Sequence, residues 1–478
     1  MRILLISSLI VSVGAIAQTP ATAQTTPTAQ IAYTSSEALQ RLHGLQQQFE
    51  DLRFGMFIHF NIPTYVNQDW PDPEASPDLF NPVHLDCTQW AKAAQSAGMT
   101  YGCLTTKHHS GFCIWDTKTT DYSVMHGPFK KDVVRAFTDA FRARGLKVFL
   151  YYSILDTHHK IRPGQITPAD IALIKAQLTE LLTHYGPITA LIIDGWDAPW
   201  SRISYDDVPF EEIYRLVKTL QPDCLLMDLN SAKYPAEALM YTDIKSYELG
   251  AGQRISKETN RLPALTCLPI NDAWFWKTDF PTTPTKDPDA LVRQVLVPLN
   301  NAWCNFILNV APNRDGLIDS NALASLAAIG RQWKNTGPVA PLPASPAPVI
   351  SPNIAKRQPA NASWSEDMNI MDFGNDDNFH SAWLSNPTVE HPWYEVDFGK
   401  DHSFNTIVLT EPEPHITAYR LEYYENGKWA PVVPQGNDTC RVKIHRFPRV
   451  WGSRVRLLID HFTAQPGVAE LGVYDERR

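Results

Sequence analysis

Several apolar runs in this 478-residue chain end in side chains able to exchange protons or hold hydroxyl groups. The plainest is Ala190-Leu191-Ile192-Ile193, which gives way to Asp194-Gly195-Trp196-Asp197. A short continuous apolar run is what a strand buried on both faces requires. The carboxylate that ends it is followed by a glycine, which lets backbone and ligand approach, and by a tryptophan of the kind sugars stack on. An isolated Asp-Gly would more often be a simple turn. Here it has company. His59 ends a first run and Lys107-His108-His109 a second, while Asp156, His158 and His159 follow a third. Asp228 and Asn230, then Glu248, then Asn309 end later ones, and Trp196, Trp200, Trp274 and Trp276 are placed to wall a shared mouth. Carboxylates, imidazoles and indoles suit a carbohydrate better than a phosphate, because no Arg/Lys cluster or glycine nest accompanies them.

Parallel α/β barrels gather such groups, since every strand points its C-terminal end at the same face. The expected strands are 54–60, 101–106, 147–152, 189–193, 224–227, 240–243, 264–269 and 305–309. Between them lie helical stretches at 85–97, 130–144, 166–185, 209–220 and 287–300. Gly98, Gly145 and Gly186 stand as C-caps, and Thr167-Pro168 reads as an N-cap with proline at the first helical position. Eight strands interleaved with helices make an α/β class (β/α)8 barrel over 41–337. A doubly wound sheet is disfavoured because no glycine-rich phosphate turn follows the first strand.

The proline-rich stretch 338–352 is expected to be a semi-rigid linker. Beyond it, 353–478 alternates apolar and polar residues with turn signals such as Asn426-Gly427, the pattern of an all-β sandwich. At the other end, Arg2, an apolar core from Leu4 to Ala17 and the small residues Ala21-Thr22-Ala23 form a secretory signal over 1–23, with a polar leader over 24–40. That implies a secreted or periplasmic protein with no membrane span once the signal is removed. A net charge of −9 without any basic block argues against nucleic-acid binding. Seven cysteines spread through the chain form neither a disulfide scaffold nor a zinc motif, although a single bridge such as Cys103–Cys113 is compatible with the sequence.

Phe54-Gly55-Met56-Phe57-Ile58-His59-Phe60, the stretch from Leu104 through Lys107-His108-His109-Ser110-Gly111-Phe112-Cys113 to Asp116, Tyr151-Tyr152-Ser153, Ile193-Asp194-Gly195 and Asn305-Phe306-Ile307-Leu308-Asn309 together resemble the family-29 α-L-fucosidases. The resemblance spans about residues 45–335. It implies a retaining exo-hydrolase of terminal α-L-fucose that uses no metal or other cofactor and acts on fucosylated oligosaccharides or glycoconjugates. It also implies Asp194 as the nucleophile and His59, His108 and His109 as ligands of the sugar hydroxyls; Tyr152, Trp196 and Trp274 are expected to bind substrate beside them. Such chemistry needs one ionised carboxylate to attack the anomeric carbon and one protonated carboxyl, about 5 Å away, to protonate the leaving oxygen. Where many family members carry Trp-Glu-Thr-Cys, this chain has Ala264-Leu265-Thr266-Cys267, and Ser110 replaces a usual aspartate. Leucine cannot donate a proton, so Glu248 is the expected acid/base, with Glu258 the next choice. The stretch 353–476, with Trp383, Trp393 and the closing Ala469-Glu470-Leu471-Gly472, resembles the discoidin or coagulation-factor type-C sandwich shared by family-32 carbohydrate-binding modules.

Two other readings stay open on the sequence. Loss of the usual acid would suit a lectin-like barrel that only binds fucosylated glycans. The five histidines at strand ends would suit a zinc-dependent hydrolase, although adjacent residues on a strand point to opposite sides and would not share one ion.

Overall fold

The computed structural model describes residues 36–251 and 254–476. The expected signal and most of the expected leader lie outside the described residues. The last part of that leader, 36–40, instead opens a helix, Ser36–Leu52. Leu42, Leu45, Phe49 and Leu52 recur at helical spacing, and this stripe packs into the barrel interior against Tyr101 and Phe149. The helix thereby plugs one end of the barrel.

The barrel strands are β1 (Phe54–Ile58), β2 (Tyr101–Lys107), β3 (Lys147–Ser153), β4 (Ala190–Asp194), β5 (Leu225–Asp228), β6 (Lys245–Glu248), β7 (Ala264–Pro269) and β8 (Cys304–Asn309). All pair in parallel, in the order β5-β4-β3-β2-β1-β8-β7-β6. The ring closes from β5 to β6 by separate bonds rather than a ladder: Ser246 Oγ donates to Asp228 O at 2.7 Å, Thr242 Oγ1 accepts the Asp228 N–H at 3.2 Å, and the Asp243 N–H donates to Leu226 O at 2.8 Å.

The sixth strand is five residues later than the sequence pattern predicts. Residues 240–241 of the expected strand pair instead with the linker, through a Met240–Val349 bridge and a Tyr241 N–H to Val349 O bond of 2.8 Å. Tyr241 also has φ +54°, which no strand accommodates. The expected linker is therefore not a free spacer. It lies along the barrel, and Trp303 Nε1 donates to Ala340 O at 3.0 Å while Tyr241 Oη donates to Ser351 O at 3.0 Å.

The C-terminal part is antiparallel, built on the long strands Trp393–Thr410, Ile416–Glu425 and Val442–Phe462, with Lys428–Gly436 and Glu470–Tyr474 at the flanks. Trp383 is fully buried in its core, and Trp393 is partly buried. Val408, Val442 and Tyr474 leave that domain's own core and pack with the barrel's. All seven cysteines are free thiols, so Cys103 and Cys113 are not bridged.

Close packing across β1 and β2 gives a test of the barrel. A Cβ built on Gly55 would lie 2.2 Å from the Tyr101 ring, whose hydroxyl is already committed to Asn305 Oδ1 at 2.8 Å. Gly55→Ala is expected to cost about 1–3 kcal/mol by overpacking. A thermal midpoint equal to wild type would contradict this packing.

Candidate active site

The C-terminal strand ends surround a pocket of about 130 Å³ lined by Phe57, His59, Asp69, Trp70, His108, His109, Tyr151, Asp194, Trp200, Leu229, Glu248 and Trp274. Asp194 is the last residue of β4. Ala190 and Ile192 face the barrel interior, so strand alternation turns Asp194 the same way. Its Oδ2 accepts the Tyr151 hydroxyl and its Oδ1 the Asn230 amide, each at 2.7 Å. Burial raises its pKa, and the bonds from Tyr151, Asn230 and the Gly195 N–H oppose that rise. Gly195 has φ +117°, and a Cβ there would lie 2.8 Å from Ile154, so glycine lets the chain leave the strand at this point.

Glu248 ends β6 and lines the same pocket. Burial, then the negative charge of Asp194, pushes its pKa up to about 7. The two carboxyls thus occupy different environments: Asp194 is supplied with donors, and Glu248 receives none from the described residues. Glu258 is exposed in the loop preceding β7, and Leu265 belongs to the interior apolar core.

Three imidazoles form the pocket wall. His59 Nδ1 lies 2.8 Å from Asn309 Oδ1, which accepts because the Asn309 amide nitrogen donates to Trp274 O at 2.7 Å. That fixes the proton on Nδ1 and leaves Nε2 as an acceptor. His109 is held alike: Ser153 Oγ donates to Leu155 O at 2.9 Å and receives the His109 Nδ1–H at 2.7 Å. His109 Nε2 stands 3.8 Å from Asp194 Oδ2. Burial drives His59 down to about 4, His109 down to about 3 and His108 well below its ordinary value. All three are neutral at physiological pH, able to accept from hydroxyls without adding charge. His108 Nδ1 is buried and makes no hydrogen bond to the described residues.

Tyr152 and Trp196, expected at the site, are not there. Tyr152 is one residue out of phase with the interior: its hydroxyl donates to Gln177 Oε1 at 2.6 Å on the helical side, and Tyr151 takes the inward place. Trp196 is fully buried, donating from Nε1 to Val208 O at 2.9 Å. The accessible tryptophans are Trp70 and Trp200, 48% and 42% exposed, which pack on His109 with ring centroids 4.7 and 4.2 Å away. Trp274 lines the pocket beside His59, at 5.0 Å between centroids, whereas Trp276 turns away to Asp319. His158 and His159 also sit apart, stacked on Tyr122 and bonded to Asp156 respectively.

Asp69 and Trp70 carry no sequence signal, because they lie in an irregular segment between β1 and β2. Asp69 is ion-paired with Lys277 at 2.6 Å, which ties this segment to the one carrying Trp274. Tyr151 was within reach: Asp194 facing inward puts Ile192 inward, and the register pairs Ile192 with Tyr151.

Below the histidine pair, Lys107 and Asp156 form a completely buried ion pair at 3.1 Å. Burial pushes Asp156 up, but Lys107 and His159 outweigh it and hold the carboxyl below its ordinary value. The Thr157 N–H donates to His109 O at 2.8 Å, so this pair fixes the turn that presents both imidazoles.

A barrel with paired carboxyls and aromatic walls at its strand ends is the arrangement by which glycosidic bonds are cleaved, and fold and site together define a glycoside hydrolase. The family model described as alpha-L-fucosidase matches residues 64–338, more than half of the chain, and the chain belongs to that family. An F5/8 type C domain model matches 353–470. Alpha-L-fucosidase 1 of Arabidopsis thaliana is 25% identical, covering 90% of this chain and 87% of the relative. Putative alpha-L-fucosidase 1 of Oryza sativa subsp. japonica is 27% identical, with coverages of 90% and 84%. Among solved structures, alpha-L-fucosidase isoenzyme 1 from Paenibacillus thiaminolyticus shares the fold with a TM-score of 0.53 at 23% identity, covering 88% of this chain and all of that one.

The buried pair is directly testable. Asp156→Ala strands the Lys107 ammonium and is expected to cost about 3–5 kcal/mol in chemical denaturation, while Lys107→Met with Asp156→Leu recovers most of that loss. Equal loss in the single and double variants would refute the pairing as the cause.

Proposed function

We propose that this member of the alpha-L-fucosidase family is an exported, retaining exo-α-L-fucosidase. Asp194 attacks the anomeric carbon to form a covalent fucosyl-enzyme while Glu248 protonates the departing oxygen. Glu248, then deprotonated, draws a proton from water, and that water releases fucose and frees Asp194. The observation that carries this reading is the opposition of the two carboxyls across one pocket. Asp194 receives two side-chain hydrogen bonds that favour its ionised form, and Glu248 is held near neutrality by burial and by Asp194 itself. The small pocket volume supports action on one terminal sugar ring, with the neutral His59, His108 and His109 as partners for its hydroxyls and Trp274 against its apolar face. Export is the reading of the signal-like segment 1–23.

Hydrolysis of p-nitrophenyl α-L-fucoside, with and without chelator, tests the function. Chelator-insensitive turnover is expected; fucose binding without turnover would establish a lectin instead, and turnover abolished by chelator a metal enzyme. Asp194→Ala should lower kcat on the order of 10⁴-fold or more. Glu248→Ala should lose about 10²–10⁴-fold on substrates with poor leaving groups, spare activated aryl fucosides and recover with azide. Equal loss on both substrate types would remove Glu248 from the proton transfer.

The pH profile follows from the same two groups. The competent form has Glu248 protonated and Asp194 ionised, so kcat/KM should fall as pH rises through about 7, where Glu248 loses its proton. Glu248→Gln should abolish that alkaline limb; an alkaline limb persisting near pH 7 in this variant would assign it to another group.

A further inference from the structure

The loops that hold the attacking carboxylate are bound to the C-terminal domain by a line of charges that the reaction does not use. Asn230, the donor to Asp194 Oδ1, is followed directly by the short 3-10 turn Ser231–Lys233. The Lys233 ammonium is ion-paired with Asp197, on the chain leaving β4 just past Asp194. The same ammonium lies 3.1 Å from Asp377 of the sandwich. Asp377 also pairs with Lys356 at 3.1 Å, and Lys356 reaches back to Asp206 of the barrel at 3.2 Å. Lys233 further lies over the Tyr205 and Tyr234 rings, at 5.6 and 5.0 Å from their centroids, and Tyr234 packs edge-on against Phe379 of the sandwich.

The side chains of Lys233, Asp197 and Asp377 are only 26%, 24% and 19% exposed, so solvent screens them less than it would surface ions. Asp197 itself has φ +49°, and its N–H is spent on Ile203 O at 2.7 Å, so the turn after the nucleophile is both left-handed and tethered. Two loops on either side of Asp194 are thus clasped by one ammonium, and that ammonium is shared with the other domain.

We propose that Asp377, on the C-terminal sandwich, is a positioning residue for Asp194, acting through Lys233 and Asn230, so that the sandwich completes the active site of the barrel. With Asp377 gone, Lys233 is drawn wholly to Asp197 and the 231–233 turn moves with it. The Asn230 bond to Asp194 is directional and short, so a small shift breaks it. The groups facing Asp194 are Tyr151, Asn230, His109, Glu248, Asp228 and the Cys267 thiol. The donors to Asp194 are Tyr151, Asn230 and the Gly195 N–H; of these only Asn230 adjoins the 231–233 turn, and its loss removes one stabiliser of the ionised carboxylate.

The inference rests on the proposed reaction, and the experiment separates the two. Full-length wild type, Asp377→Ala, Asp377→Glu, Lys233→Met and Arg441→Ala are compared on p-nitrophenyl α-L-fucoside across pH, with thermal midpoints recorded. Arg441 is the control, because it bridges the same two domains through Glu237 at 3.0 Å, four residues beyond Lys233, without pairing with Asn230, Lys233 or Asp197. Asp377→Ala and Lys233→Met should lower kcat by about 10- to 100-fold with little change in KM. They should also move the acid limb of kcat/KM upward by about half a pH unit or more, as expected for a carboxylate that has lost a donor. Asp377→Glu should restore part of both effects, and Arg441→Ala should keep the wild-type profile. A wild-type kcat and acid limb in both Asp377→Ala and Lys233→Met would overturn the inference, as would an identical change in Arg441→Ala. Following the Asp194 carboxyl by ¹³C NMR reads the same upward shift without turnover. An inactive wild type would therefore end the proposed reaction and still decide the role of Asp377.

Discussion

A carboxylate taken out of water favours its neutral form, and Asp194 is a carboxylate almost wholly out of water. Two directed hydrogen bonds, from Tyr151 and Asn230, work against that tendency. The rest of the site is arranged around this one opposition. Tyr151 comes from the neighbouring strand β3 and Asn230 from the exit of β5, so both flanks of β4 are committed to one side chain. Glu248, at the end of β6, has no comparable donors among the described residues and feels the negative charge that those bonds sustain. Asp194 and Glu248 carry the same chemical group made different by their surroundings, which is what the proposed division of roles requires.

The same burial acts on the histidines with the opposite sign of charge. It keeps His59, His108 and His109 neutral, and the partners Asn309 and Ser153 then decide which ring nitrogen carries the proton. A neutral imidazole with a fixed tautomer is a directional acceptor, which a hydroxyl-rich ligand can use. The turn bearing His108 and His109 rests on Lys107 and Asp156, two ions with no solvent contact at all. Such a pair stabilises little in net terms, but it tolerates only one geometry, because either ion left alone would be buried uncompensated.

The second domain is more than an attachment. Its residues Val408, Val442 and Tyr474 join the barrel's apolar core, and the proline-rich segment between the domains takes up the backbone groups of 239–241. β6 begins only after that pairing, at Lys245, and ends at Glu248. The interface and the site therefore share elements, and the ion pairs of Lys233 run between them.

Much of the fold was legible in the chain because local patterns express it: buried parallel strands are continuous apolar runs, and helices announce their caps. Asp194, Glu248, His59, His108, His109 and Trp274 could be picked out as residues at or just beyond such runs. Composition and spacing were silent on which of two adjacent aromatic residues faces inward, since a single step in register exchanges Tyr151 for Tyr152. They were equally silent on Asp69 and Trp70, which reach the pocket from an irregular segment, and on the burial of Trp196, whose indole is claimed by Val208. The sequence determined what kinds of groups meet at the strand ends; only tertiary packing decided which of them share a cavity and how each is charged. The physical reason is that burial and partner geometry, unlike residue type, are properties of segments far apart in the chain.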